Sequence, residues 1–180
     1  MKKILLVVAV MALATQVIFA QRVLINKGDQ YVGAKLALGS VGGASMGYIG
    51  EYEMGFQENI GIGATVGYSG YSEELAFFSA KGEWSYTNIY IVANGNYHYD
   101  FLKNEKLDTW AALHVGYNAA TVKWSWTSGT SLFTPAAATA GGVVIGLSAN
   151  ARYFLSDQLA VSARLGFGLG IVNIGVDYKL

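Results

Sequence analysis

The chain has 180 residues, 12 Lys and Arg against 12 Asp and Glu, no cysteine, one proline and 23 glycines. Without cysteine, neither a disulfide framework nor a thiolate metal site is possible, and a chain of zero net charge offers no electrostatic footprint for nucleic acid. Tyr, Trp and Val with sparse charge favour strands, and this aromatic content argues against disorder.

Lys2 and Lys3 precede an unbroken apolar run, Ile4 to Ala14, and small Ala20 stands before Gln21. This is the layout of a cleaved secretory signal peptide over 1–20, too short for a spanning helix. Residues 21–180 then form one domain with 10 basic residues (12 less Lys2 and Lys3) against 12 acidic, net −2.

From there, apolar and polar residues alternate with period 2 in segments of about ten residues, the length of a tilted strand crossing a bilayer. The segments are 31–40, 46–56, 60–70, 86–101, 109–121, 142–154, 159–169 and 172–180. No segment keeps a helical i, i+3, i+4 pattern. The expected fold is all-β: an eight-stranded antiparallel transmembrane β-barrel in up-and-down order.

One face carries no charge: Val32, Leu36 and Leu38, then Tyr48, Tyr52 and Phe56, through to Ile174, Val176 and Tyr178. All charges within strands share the other face: Lys35, Glu51, Glu53, Asp100, Arg152, Arg164, Asp177 and Lys179, with Asn94, Asn96, His98, His114, Asn118, Asn150 and Asn173. Glycines interleave with them, whereas a water-facing surface would carry many Lys and Glu. Small residues beside a few large charged ones suit the cramped interior of an eight-stranded barrel. Lys35, Glu51, Glu53, Asp100, Arg152, Arg164, Asp177 and Lys179 are therefore expected to form an interior charge network. Lys35 should face Glu51 or Glu53. A tight turn at Gly170-Ile171 would place Arg164 opposite Asp177.

Connections near 57–59, 102–108 and 155–158 are short and those near 71–85 and 122–141 long, matching the rule of short periplasmic turns and longer outer loops. Outer-membrane lipid is the expected surrounding, and an extracellular partner could bind through loops 71–85 and 122–141. In the second loop, Trp124, Trp126 and Phe133 are candidate surface contacts, with rim anchoring in the lipid head groups as the plainer role for the tryptophans. Tyr68, Trp84, Tyr86, Tyr117, Trp124 and Trp126 would form the outer aromatic girdle.

Hidden chemistry finds little support. His98, Asp100 and His114 lack a serine at a matching nucleophile position, and nothing fixes a metal ligand set. Gly61-x-Gly63 and Gly166-x-Gly168 lack the strand-to-helix context of a phosphate loop. No catalytic, metal or cofactor site is expected, and the chain is read as a non-enzyme.

The stretch NGNYHYDFLKNEKLDTWAALHVGYNAA from Asn94 and the tail LSANARYFLSDQLAVSARLGFGLGIVNIGVDYKL resemble the bacterial outer-membrane β-barrel domain family, small eight-stranded barrels of the porin-like superfamily. The resemblance implies a barrel in the cell outer membrane, delivered by the barrel-insertion machinery. Many members end in an aromatic residue, whereas this chain ends in Leu180 with Tyr178 two positions earlier. The expected function is a structural or surface-interaction barrel with a filled interior. The alternative is a narrow porin for small solutes, with an outer-membrane enzyme or a soluble ligand-binding barrel behind it.

Overall fold

The computed structural model describes residues 24–77, 80–129 and 134–180; the segment 1–20, expected to be a signal peptide, and Phe133 lie outside them. Eight antiparallel strands follow in order: β1 Gln30–Val41, β2 Ala44–Gln57, β3 Ile60–Phe77, β4 Ala80–His98, β5 Leu107–Ser128, β6 Ala138–Phe154, β7 Leu159–Phe167 and β8 Val172–Lys179. Each pairs with its neighbour in sequence, and β8 pairs back onto β1 from Tyr31↔Lys179 to Leu38↔Val172, closing the ring. Closure pairs the backbone groups that an open sheet would leave bare in lipid.

Burial is inverted relative to a water-soluble protein. On the outward face Val143 is 73% exposed and Ile91 67%, while the inward Arg152 and Asp177 are 1% and 4% exposed. Such a surface is stable only against hydrocarbon. The fold is thus the eight-stranded transmembrane barrel that the alternation implies.

Two expected loops are largely strand. β3 and β4 pair continuously out to Phe77↔Ala80, so 71–77 and 80–85 form a projecting ladder, and β5 and β6 carry theirs to Val122↔Ala138. The apolar alternation ends before these strands do, because backbone pairing continues as long as the partner does. Beyond Tyr68, Ile89 and Tyr117 the outward positions turn polar: Ser72, Glu74, Glu83, Ser85, Thr87, Thr121, Lys123 and Thr139. The inward positions there turn aromatic, with Tyr71 stacked on Tyr86 (centroids 4.5 Å apart, planes at 5°) and Trp84 beside Trp124 (5.0 Å). Trp84, Tyr86, Trp124 and Trp126 therefore line the inner face of the projection and do not belong to a lipid-facing girdle. Trp124 and Trp126 lie in β5 and touch edge to face at 5.3 Å, so neither is a loop residue. The polarity of the sheet reverses where it leaves the apolar band.

At the opposite end, where the C-terminus lies, residues 24–29 cross the barrel mouth. Ile25 is fully buried, Gly28 N–H donates to Gly55 C=O (2.9 Å), and Gly55 N–H donates to Asp29 C=O (2.8 Å). A methyl group at position 55 would overlap the Asn26 carbonyl, so only glycine admits this strap. Lys179 pairs with Asp29 at 2.9 Å at this mouth. Burial raises the Asp29 pKa, but the Asn26 backbone hydrogen bond and Lys179 outweigh it and hold the carboxyl below its ordinary 3.8.

Candidate functional site

The lumen is filled rather than open, and two polar assemblies fill it. The first is a closed ring of side chains from six strands. Glu51 on β2 pairs with Arg164 on β7. Arg164 Nε donates to Asn150 Oδ1 (2.8 Å), Asn150 Nδ2 donates to Ser148 Oγ (3.0 Å), and Ser148 meets His114 Nε2 (2.8 Å). His114 Nδ1 lies 2.7 Å from Asn94 Oδ1, Asn94 Nδ2 donates to Thr65 Oγ1 (2.7 Å), and Thr65 returns a hydrogen bond to Glu51 (3.2 Å). Asn94 Oδ1 can only accept, so His114 Nδ1 carries a proton directed at it. Lys35 on β1 joins this ring to β8, contacting Glu51 and, at 2.8 Å, Asp177. Every strand is thereby tied into one polar layer.

The second assembly is a square nearer the strap. His98 Nε2 faces Glu53 Oε1 (2.9 Å) and His98 Nδ1 faces Asp108 Oδ1 (2.7 Å). Arg152 closes the square on Asp108 Oδ2 (2.7 Å) and Glu53 Oε2 (3.0 Å). Both histidine nitrogens meet carboxylate oxygens, a pattern matched by a ring that donates from both. The Arg152 guanidinium lies 3.6 Å from the Tyr31 ring centroid and 4.8 Å from that of Trp110, which also stacks on His98. These aromatic faces attract the cation while excluding water.

Charge therefore balances within each assembly: Lys35 and Arg164 against Glu51 and Asp177, and Arg152 with a doubly protonated His98 against Glu53 and Asp108. Burial of ions in this lumen is tolerable only with such pairing, because desolvation costs several kcal/mol per ion. The free space among Lys35, Glu51, Glu53, Arg152, Arg164 and Asp177 is about 20 Å³, room for about one water. Toward the projecting end an apolar layer follows, formed by Ala37, Val41, Ile49, Tyr90, Val92 and Leu169.

Four details differ from the sequence expectation. Lys179 sits at the barrel mouth with Asp29 rather than inside. Asp100 falls just past the end of β4 and is half-buried, because the chain leaves the ladder after His98. Their places in the interior are taken by His98 and by Asp108, which lies in β5 and not in the expected turn 102–108. Asp108 shares its parity with Trp110, Ala112 and His114, and the strand begins at Leu107, two residues before the expected 109.

The third difference is register across β7 and β8. The turn is centred on Gly168-Leu169, closed by Gly166 N–H donating to Ile171 C=O (3.0 Å), with Gly168 and Gly170 at φ of +102° and +88°. The ladder is four residues out from the expected one, so Arg164 faces Asn173 and Asp177 faces Ala160. Burying Leu169 in the lumen's apolar layer favours this wider turn. The fourth is that Lys35 faces Ile49, because a bulge between Leu38 and Val41 and the Gly42-Gly43 turn shorten the hairpin. The long lysine side chain still reaches Glu51 diagonally. A double-mutant cycle reads this wiring directly. Lys35→Met with Asp177→Asn should show a coupling of about 0.5–3 kcal/mol, and Arg164→Met with Asp177→Asn clearly less, by urea unfolding in lipid vesicles.

Ring closure, an apolar outside and an ion-paired inside define a transmembrane β-barrel. No protein-family model and no curated protein matches the chain. Among solved structures it is similar to a de novo designed transmembrane β-barrel, at 15% identity and a TM-score of 0.57 over 89% of this chain and 100% of that one. It is also similar to the N-terminal β-barrel domain of Pseudomonas aeruginosa OprF, at 11% identity and a TM-score of 0.55 over 86% of this chain and 98% of that one. These likenesses are ones of fold: the small transmembrane β-barrel, which a designed sequence also adopts.

Proposed function

We propose that the protein is a non-conducting barrel of the bacterial outer membrane that displays a four-stranded sheet at the cell surface as a contact surface. The observation that carries this reading is the reversal of polarity along β3 to β6. Within the apolar band the sheet faces lipid outward. Beyond it the same strands present Ser72, Glu83, Thr87, Lys123 and Thr139, side chains suited to water.

The long end then points outward, and the strapped end faces the periplasm, in keeping with the asymmetry of outer-membrane barrels. The filled lumen favours this reading over a narrow porin, since the ring, the square and the apolar layer lie in series across any axial path. No step of catalysis is assigned to His98 or His114, whose nitrogens are engaged with interior partners. The purified full chain in planar bilayers is expected to give no steady ohmic current. A stable, voltage-independent conductance would replace this function with that of a small-solute pore.

A further inference from the structure

The projecting sheet has two bare edges. The last pair between β2 and β3 is Gly47↔Ser69, so β3 runs on through Gly70–Phe77 with β4 on one side only. The last pair between β6 and β7 is Leu147↔Phe167, so β6 from Ala138 to Gly146 is paired with β5 alone. Among the described residues, no strand covers either edge.

Edges of this length template pairing with another chain unless blunted by lysine, proline or a bulge. The β6 edge, ATAGGVVIG, has no charge and no proline, and it pairs with β5 without a bulge. Its lower part carries Val143 and Ile145, 73% and 62% exposed on the lipid-facing side. Backbone groups bared there have no water to satisfy them, and lipid cannot do so. A protein strand embedded beside it can.

Strand direction and charge identify that strand. Neighbouring copies in one membrane share one orientation, with β3 running away from the strapped end and β6 toward it. The β3 edge of one copy therefore meets the β6 edge of the next antiparallel, the more stable ladder. Like edges would meet parallel. The β3 edge also carries Glu73 and Glu74 with no basic residue, so two β3 edges repel each other, whereas the uncharged β6 edge does not repel β3. The free lengths match, 70–77 against 138–146.

We infer that the protein self-associates head to tail in the membrane plane, the β3 edge of one copy adding to the β6 edge of its neighbour to continue the sheet. Such a heterologous contact makes rings where the rotation closes and rows where it does not. This inference rests on the surface reading above, through the orientation of the projection.

The chain has no cysteine, so single cysteines report cleanly. Ala76 and Thr139 lie on the same outer face of the sheet and fall opposite each other when 70–77 is laid antiparallel against 138–146; Glu74 shares that face, which covers a two-residue uncertainty in register. Ala76→Cys or Glu74→Cys would be co-expressed with Thr139→Cys in intact cells, oxidised, and analysed without reductant. The expected result is a mixed dimer in excess over either like dimer, and a ladder of higher species when Ala76→Cys and Thr139→Cys are placed in one chain. Gly141→Pro, at a position whose N–H faces the open edge and away from β5, should abolish both while the barrel keeps its folded, heat-sensitive gel mobility. Cysteines labelled by an impermeant maleimide but giving no mixed dimer, like dimers in equal yield, or cross-links to a different protein would each overturn head-to-tail pairing and leave the surface reading standing. Failure of the maleimide to reach these cysteines from outside overturns both.

Discussion

Arg152→Met is expected to destabilise the folded barrel by about 3–5 kcal/mol, as measured by urea unfolding in lipid vesicles followed on gels by the folded band. Methionine fills much of the space between Tyr31 and Trp110, so lost packing is a minor part of the effect. The cost comes from Glu53 and Asp108, which lose their shared cation while Arg152's side chain is 1% exposed and Asp108's 3%. His98 alone then faces two carboxylates. Adding Asp108→Asn, which removes one stranded charge, should return part of the loss. Arg152→Lys should cost less than Arg152→Met, since it keeps the charge but loses the fork that engages both carboxylates. A loss under about 1 kcal/mol for Arg152→Met would mean that water reaches the square, since hydrated pairs contribute that little.

The second large effect is expected on the outside. Val115→Arg places a cation among lipid-facing neighbours on β5, between Leu113 and Tyr117, all about half exposed. A cost of roughly 2–4 kcal/mol is expected if that site lies at midplane depth. Thr121→Arg makes the same change on the same face of the same strand, six residues toward the projecting end, where Thr87 and Thr139 are its partners. It should cost about 0–1 kcal/mol. Comparing the two holds strand, face and side chain constant and varies depth alone. Equal costs would show that the apolar band does not end at Tyr117.

These two predictions draw on different sources. The lipid face behind Val115→Arg is legible in the residue pattern, because alternation has a period that any strand pairing preserves: the parity separating Val115 from His114 does not depend on which strand lies alongside. Strand count, closure and the inward position of Lys35, Glu51, Glu53, Arg152, Arg164 and Asp177 follow from the same local rule. Where strands stop is less legible, since hydropathy marks the edge of the lipid band and not the end of backbone pairing. That is why 71–85 and 122–141 read as loops although β3 to β6 carry the ladder onward.

Which inward charges meet is a tertiary matter. Parity allows Arg164 to face Asp177, but a turn centred two residues earlier moves the ladder by four, and Asp177 meets Lys35 across the seam where β8 closes on β1. His98 and Asp108 join the core because adjacent strands bring them within 2.7 Å, while Lys179 goes to Asp29 because the N-terminal strap lies over its end of the barrel. Sequence by itself determined that the chain is a barrel, which face meets lipid, and that charge must be carried and balanced inside. Register, turn width and the strap decided which ions balance which, because a pairing energy depends on separations of a few ångströms between residues as far apart in the chain as Lys35 and Asp177, and no local pattern encodes that distance.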